Sequence, residues 1–104
     1  MGRRRFLPLT PAEVCAILTQ LGFRFKIQEG SHAQWERPAD GTRRRAVVTV
    51  DMKEKDFGST LMQSMVRQSN FSHDEFYGGT KKTARKASVS HFRVTNTVTD
   101  VEMD

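Results

Sequence analysis

Apolar and polar residues alternate twice between positions 23 and 37, on either side of a Gly-Ser pair. Phe23-Arg24-Phe25-Lys26-Ile27-Gln28 is one run and Ala33-Gln34-Trp35-Glu36-Arg37 is the other. A period of two on both sides of Gly30-Ser31 predicts a β-hairpin, with Gly30 free to take positive φ and Ser31 completing the turn. The alternation sets Phe23, Phe25, Ile27, Ala33 and Trp35 on a core face, and Arg24, Lys26, His32 and Gln34 on the opposite one. Upstream, the pattern is helical. Thr10 is an N-cap, Pro11 stands at N1 and Glu13 is an early acidic residue, while Val14, Ile17, Leu18 and Leu21 form one stripe that Gly22 ends.

Downstream of the hairpin, residues 38–41 (Pro-Ala-Asp-Gly) predict a turn into a third, β-branched strand over 44–50, with Ala46, Val48 and Val50 on one face. Residues 51–57 are polar and predict a loop. Gly58-Ser59-Thr60 opens a second helix whose apolar side is Leu61, Met62, Met65 and Val66. Ser72 and Glu75 then form a capping box, with Phe71 and Phe76 as a hydrophobic staple, for a short third helix ending near Gly78-Gly79. The expected fold is α+β: a three-stranded antiparallel meander with both main helices on one face, which leaves the other face open. That open face would carry Arg24, Lys26, Gln28, His32, Gln34, Glu36, Arg45 and Thr49. The expected organisation is a basic lead-in over 1–9, a folded domain over 10–79 and a flexible tail over 80–104. In that tail Val89, Phe92, Val94 and Val98 could support a stray strand.

Composition narrows the partners. Of the 104 residues, 17 are Lys or Arg and 12 are Asp or Glu, a net charge of +5. The excess is already present over residues 1–80, so it is not confined to the tail, and it favours polyanionic partners. Cys15 is the only cysteine, which excludes an intramolecular disulfide and a cysteine metal cluster. No His, Asp or Glu pair has ligand spacing on a shared face, so neither a metal nor another cofactor is expected. No apolar run reaches membrane-spanning length, and no signal peptide is recognisable, so a cytoplasmic protein without membrane contact is expected.

His32 stands beside cations on an open sheet face, an arrangement suited to phosphate chemistry. On the residues alone, a lone histidine at a strand start is more often an ordinary surface residue. The Arg43-Arg44-Arg45 run reads either as a phosphate contact or as a solvated turn. Trp35, by its alternation, belongs to the core; His73 at a helix start and His91 in the tail carry no assigned role.

The series Leu21-Gly22-Phe23, Gly30-Ser31-His32, Trp35, Pro38-x-Asp40-Gly41, Val48-x-Val50, Gly58-Ser59-Thr60-Leu61 and Gln68…Phe71-Ser72…Glu75-Phe76 resembles the HicA toxins over roughly residues 10–77. The resemblance implies a double-stranded-RNA-binding-domain-like αβββα fold and an mRNA-cleaving activity. It also implies a HicB-type antitoxin that occludes the active surface, and a catalytic role for His32, with Gly30 and Ser31 as the turn that presents it. Residues 51–56 are more acidic here than the basic stretch common in the family.

RNA cleavage of this kind needs no metal, because the 2′-hydroxyl attacks the adjacent phosphate. Histidine can serve as general acid or base near neutral pH. Arg24, Lys26, Arg44 and Arg45 are the expected RNA-binding or transition-state-stabilising cations; a second proton-transfer group is not identifiable. Two other readings stand beside the ribonuclease: a non-catalytic RNA-binding module of the same fold, and a protein-interaction module whose open face docks a partner.

Overall fold

The computed structural model describes residues 5–90 and 92. Its elements are α1 (Pro11–Gln20), β1 (Arg24–Glu29), β2 (His32–Arg37), β3 (Ala46–Asp51), α2 (Ser59–Ser69), α3 (His73–Tyr77) and α4 (Lys81–Lys86). The three strands form one antiparallel sheet in the order β1-β2-β3. The helices lie on one side of it, the α+β arrangement expected from the pattern.

Local signals explain the element ends. The Thr10 side chain accepts from the Glu13 N–H, and the Glu13 carboxylate accepts from the Thr10 N–H, a capping box that starts α1. At its other end, Gly22 takes φ +95 while the Phe23 N–H donates to the Leu18 carbonyl at 2.8 Å and the Gly22 N–H to Thr19 at 3.2 Å. These two bonds are the Schellman pair, and the left-handed residue between them favours glycine. The Ser72–Glu75 capping box of α3 is also present in both directions. In the β1–β2 hairpin Gly30 alone sits at positive φ (+60), the pattern of a two-residue loop with glycine first.

The core lies between the sheet and the helices. Val14, Ile17 and Leu18 of α1 meet Ala46, Val48 and Val50 of β3 and Met62, Met65 and Val66 of α2, with Phe57, Phe71, Phe76 and Tyr77 closing it. Both α1 and α2 contact β3. The Gln68 side chain accepts from the Thr49 N–H at 3.4 Å, so α2 also covers the outer edge of β3. The β2–β3 loop is tied across the fold by Arg43. Its guanidinium donates to the Asn70 carbonyl and to Glu75, both at 2.8 Å, and lies 3.9 Å from the centre of the Phe71 ring. Replacing Arg43 with leucine should therefore lower stability by about 2 kcal/mol in urea unfolding. Lysine, which lacks the planar fork, should restore only part of it.

The structure corrects four expectations. A bulge at Lys26 shifts the β1–β2 register between Phe25 and Ile27. Ile27 therefore pairs with Gln34 on the open face, and Gln28 pairs with Ala33 on the helix side. Phe25 stays opposite Trp35, yet β1 is exposed along its whole length, so neither Phe25 nor Ile27 is in the core. Leu61, expected on the apolar side of α2, is 49% exposed. The lead-in is packed, not merely attached: Leu9 is fully buried and bridges Phe57, and the Tyr77 hydroxyl donates to the Leu7 carbonyl at 2.6 Å.

The fourth correction concerns the tail. Residues 81–86 form α4, with Thr83 and Ala84 buried and the Thr83 hydroxyl donating to the Tyr77 carbonyl at 2.7 Å. The possible strand residues Val94 and Val98, and His91, lie outside the described residues, as do Arg3 and Arg4.

Candidate functional site

The hairpin turn fixes where His32 stands. Glu29 and His32 are the last cross-strand pair before Gly30-Ser31, so His32 is the first residue of β2. On its other side it pairs with Asp51, the last residue of β3. Strand alternation then sends both side chains to the open face, where His32 Nε2 lies 3.7 Å from an Asp51 carboxylate oxygen. That separation is an ion-pair distance and too long for a hydrogen bond. His32 is 61% exposed and Asp51 25%.

Asp51 is held by its surroundings. The Ser31 side chain and the Lys53 N–H both hydrogen-bond its carboxylate, and these contacts, with the nearby His32 and Lys53 charges, keep its pKa below the ordinary value of 3.8. The Met52 N–H donates to the Ser31 carbonyl at 2.7 Å, which pins the turn to the end of β3. A folded-state pKa below the unfolded one means that these bonds stabilise the site throughout the neutral range. Their contribution disappears only as the pH falls through the depressed value.

Beside this pair runs a groove of about 260 Å³ between the end of the sheet and α2. His32, Thr49, Asp51 and Glu54 line one wall, and Leu61, Ser64 and Gln68 are among the residues of the other. A titratable histidine, two carboxylates and neutral hydrogen-bonding side chains thus share one concavity. Reading the sequence alone missed Asp51, Glu54, Ser64 and Gln68. The Asp51 contact needed the β2–β3 register, and α2 reaches the site only through the tertiary fold. Once the hairpin and the third strand are predicted, a carboxylate at the end of that strand is the one signal that could have pointed to it.

The expected cations are elsewhere. Arg24, Lys26 and Arg45 gather around Glu36 at the far end of the open face. Glu36 pairs with Arg24 in register, lies 3.7 Å from Lys26 Nζ and accepts a hydrogen bond from Arg45 Nε. Four residues along β2 separate His32 from Glu36, on the order of 13 Å. Their side chains therefore do not converge on His32, and one carboxylate holds the heads of Lys26 and Arg45. Arg44 is exposed in the loop before β3. Arg43 is committed to the α2–α3 junction, as described above. The cation whose charge acts on Asp51 is Lys53.

Other features fall outside this site. His73 is structural: one ring nitrogen lies 2.8 Å from Asp74, the other 2.5 Å from the Arg5 carbonyl, and the ring packs against Phe6 and Tyr77. Trp35 is partly buried and packs against the core cluster. Burial pushes the Cys15 thiol pKa up, and a Trp35 contact partly offsets the shift. Among the described residues no three His, Cys, Asp or Glu side chains come together in a way that could hold a metal ion. No helix among them is long and apolar enough to cross a membrane.

Comparison with curated proteins gave no match. The family profile for the HicA toxin of bacterial toxin–antitoxin systems matches residues 11–71, well over half of the chain and the span from α1 through α2. The chain therefore belongs to the HicA toxin family and is the toxin of a toxin–antitoxin pair, a family membership that implies a HicB-type antitoxin as its partner.

Proposed function

We propose that this toxin is a metal-independent endoribonuclease that cuts single-stranded message, with His32 as its general acid or base. The observation that carries the reading is the His32–Asp51 pair: an accessible imidazole beside an ionised carboxylate, at the mouth of the groove between the end of the sheet and α2. In the reaction the 2′-hydroxyl attacks the neighbouring phosphorus and the bond to the 5′-oxygen breaks. The products are a 2′,3′-cyclic phosphate and a free 5′-hydroxyl. The proton leaves the 2′-hydroxyl and one reaches the departing 5′-oxygen; His32 makes one of these transfers.

Asp51 is a positioning residue. Its charge favours one orientation of the ring and steadies the imidazolium once formed, while the ring nitrogen remote from it stays available to the substrate. Gln68 and Ser64 offer hydrogen bonds across the groove, and Lys53, whose charge acts on Asp51, supplies positive charge for the phosphorane. Glu54 is the second titratable group in the groove. Arg24, Lys26, Arg44 and Arg45, remote from the scissile bond, serve substrate binding along the open face. The site resides on the first turn of a short hairpin, so Gly30 and Ser31 present His32 and do not act on the substrate.

The test is incubation of wild-type protein with end-labelled single-stranded RNA in EDTA. Fragments with cyclic phosphate ends, and protection by a single 2′-deoxy substitution at the cut position, are expected. RNA that remains intact but is retained in a gel shift, with a steep salt dependence, would favour the non-catalytic binding module. In the same assay Asp51→Asn should slow cleavage by roughly five-fold, the effect of losing one unit charge about 4 Å from the imidazolium in a solvent-exposed setting. An unchanged rate would remove Asp51 from the mechanism.

A further inference from the structure

The groove beside His32 has a lining unsuited to phosphate. It holds two carboxylates, Asp51 and Glu54, and among the described residues no lysine or arginine lines it. A phosphate drawn inside would meet like charge, so the anionic backbone of a substrate belongs at the mouth. The interior is partly apolar, because Phe57 and Met65, both buried in the core, also line it. Leu61, Ser64 and Gln68 recur at i, i+3 and i+7 along α2, so the exposed Leu61 side chain belongs to this same wall. At about 260 Å³ the groove falls just below the ~300–1,000 Å³ of pockets that take drug-sized ligands, a size suited to one planar ring system.

The polar groups of the groove are not equivalent. The Asp51 carboxylate is committed within the protein, to the Ser31 side chain, the Lys53 N–H and the approach to His32. Glu54 is exposed in the turn after β3, where its own N–H donates to the Asp51 carbonyl at 3.3 Å. Gln68 is oriented from the other wall: its side-chain oxygen accepts from the Thr49 N–H at 3.4 Å, which leaves its amide NH2 as a donor. A carboxylate that only accepts, an oriented amide donor and apolar neighbours match a neutral planar ring with adjacent N–H donors beside a carbonyl oxygen. Among the RNA bases, guanine has that edge. Its N1–H and 2-amino group lie side by side for both carboxylate oxygens, and O6 is next to them. Uracil instead presents one N–H between two carbonyl oxygens, which a carboxylate opposes.

We propose that this groove is a base-recognition subsite for guanine, with Glu54 accepting from N1–H and the 2-amino group and Gln68 donating to O6. The guanosine is the nucleotide beside the bond at His32, because the histidine and the base pocket share one groove. The subsite deepens the ribonuclease reading and rests on it for the choice of RNA. It makes Glu54 and Gln68 specificity-determining residues and gives a use to a carboxylate that would otherwise only repel the substrate backbone.

The experiment measures binding to the full chain carrying His32→Ala, by anisotropy, of fluorescein-labelled oligouridines of about ten nucleotides. One strand is all uridine, one carries a single central guanosine and one a single inosine. The guanosine strand should bind roughly 5- to 150-fold more tightly than the all-uridine strand, the discrimination of one bidentate base contact. Inosine, which lacks the 2-amino group, should lose most of that gain. Adding Glu54→Ala should abolish the preference, and Glu54→Gln, which keeps the length but has one acceptor oxygen, should lose most of it. Affinity for the all-uridine strand should hold or rise in both, which also reports that the variants are folded. Equal affinity of the His32→Ala chain for all three strands would overturn the subsite. So would a Glu54→Ala chain that binds every strand more tightly yet keeps the guanosine preference, which would mark Glu54 as a repelling charge only. The ribonuclease reading is judged separately, on the wild-type chain. If that chain cleaves no RNA while the guanosine preference depends on Glu54 as expected, the catalytic reading fails and the subsite stands.

Discussion

Replacing His32 with alanine is expected to lower RNA cleavage by roughly 100- to 10,000-fold, the range for losing one well-placed proton-transfer group. The side chain is mostly exposed, and its polar contact among the described residues is the ion-pair approach to Asp51. Its truncation leaves the core cluster untouched. The loss should therefore appear in the chemical step, with circular dichroism, melting temperature and RNA retention all close to wild type. His32→Gln, which keeps hydrogen-bonding capacity but cannot move a proton, should be as inactive as alanine. Cleavage within a few-fold of wild type in either variant would show that another group carries the proton.

The second large effect is on stability and comes from the segment before α1. Leu9 is fully buried, and its carbonyl accepts from the Phe57 N–H at 2.9 Å. Leu9→Ala truncates a buried isobutyl side chain to a methyl group and leaves a cavity, so a loss of about 3 kcal/mol is expected. For a domain of this size that is a fall in melting temperature on the order of 15 °C, a large share of the few kcal/mol that hold such a fold together. Thermal unfolding followed by circular dichroism measures it directly. A change below about 0.5 kcal/mol would mean that the lead-in detaches without consequence for the core.

Much of this molecule can be read from its sequence, and where the reading stops has a physical cause in each case. The start and end of α1 are encoded locally, by Thr10, Pro11 and Glu13 at one end and Gly22 at the other. The Ser72–Glu75 box is equally local, and so is the turn that presents His32. The faces of β2 and β3 follow from simple alternation. The bulge at Lys26 is different: it exists only because β1 must pair with β2, and nothing in Phe25-Lys26-Ile27 marks it. The same limit hid Asp51, whose approach to His32 depends on cross-strand register.

Arg43 looked like one of three equivalent arginines; what separates it is a contact across 32 residues to Glu75. Leu9 lies in a short Pro-containing segment with no periodicity to announce it. Residues 81–86 are polar, and their helix depends on burial of Thr83 and Ala84 against the end of α3. There the Thr80 cap, whose side chain accepts from the Thr83 N–H, was the available signal.

The central claim, that an exposed histidine at the mouth of this groove cuts RNA, is tested most directly by comparing wild type and His32→Ala side by side. Both would be incubated with end-labelled single-stranded RNA in EDTA. The account predicts fragments from the wild type alone, while both proteins retain the RNA in a gel shift. Equal cleavage by both proteins would contradict it, and so would intact RNA with both while binding persists.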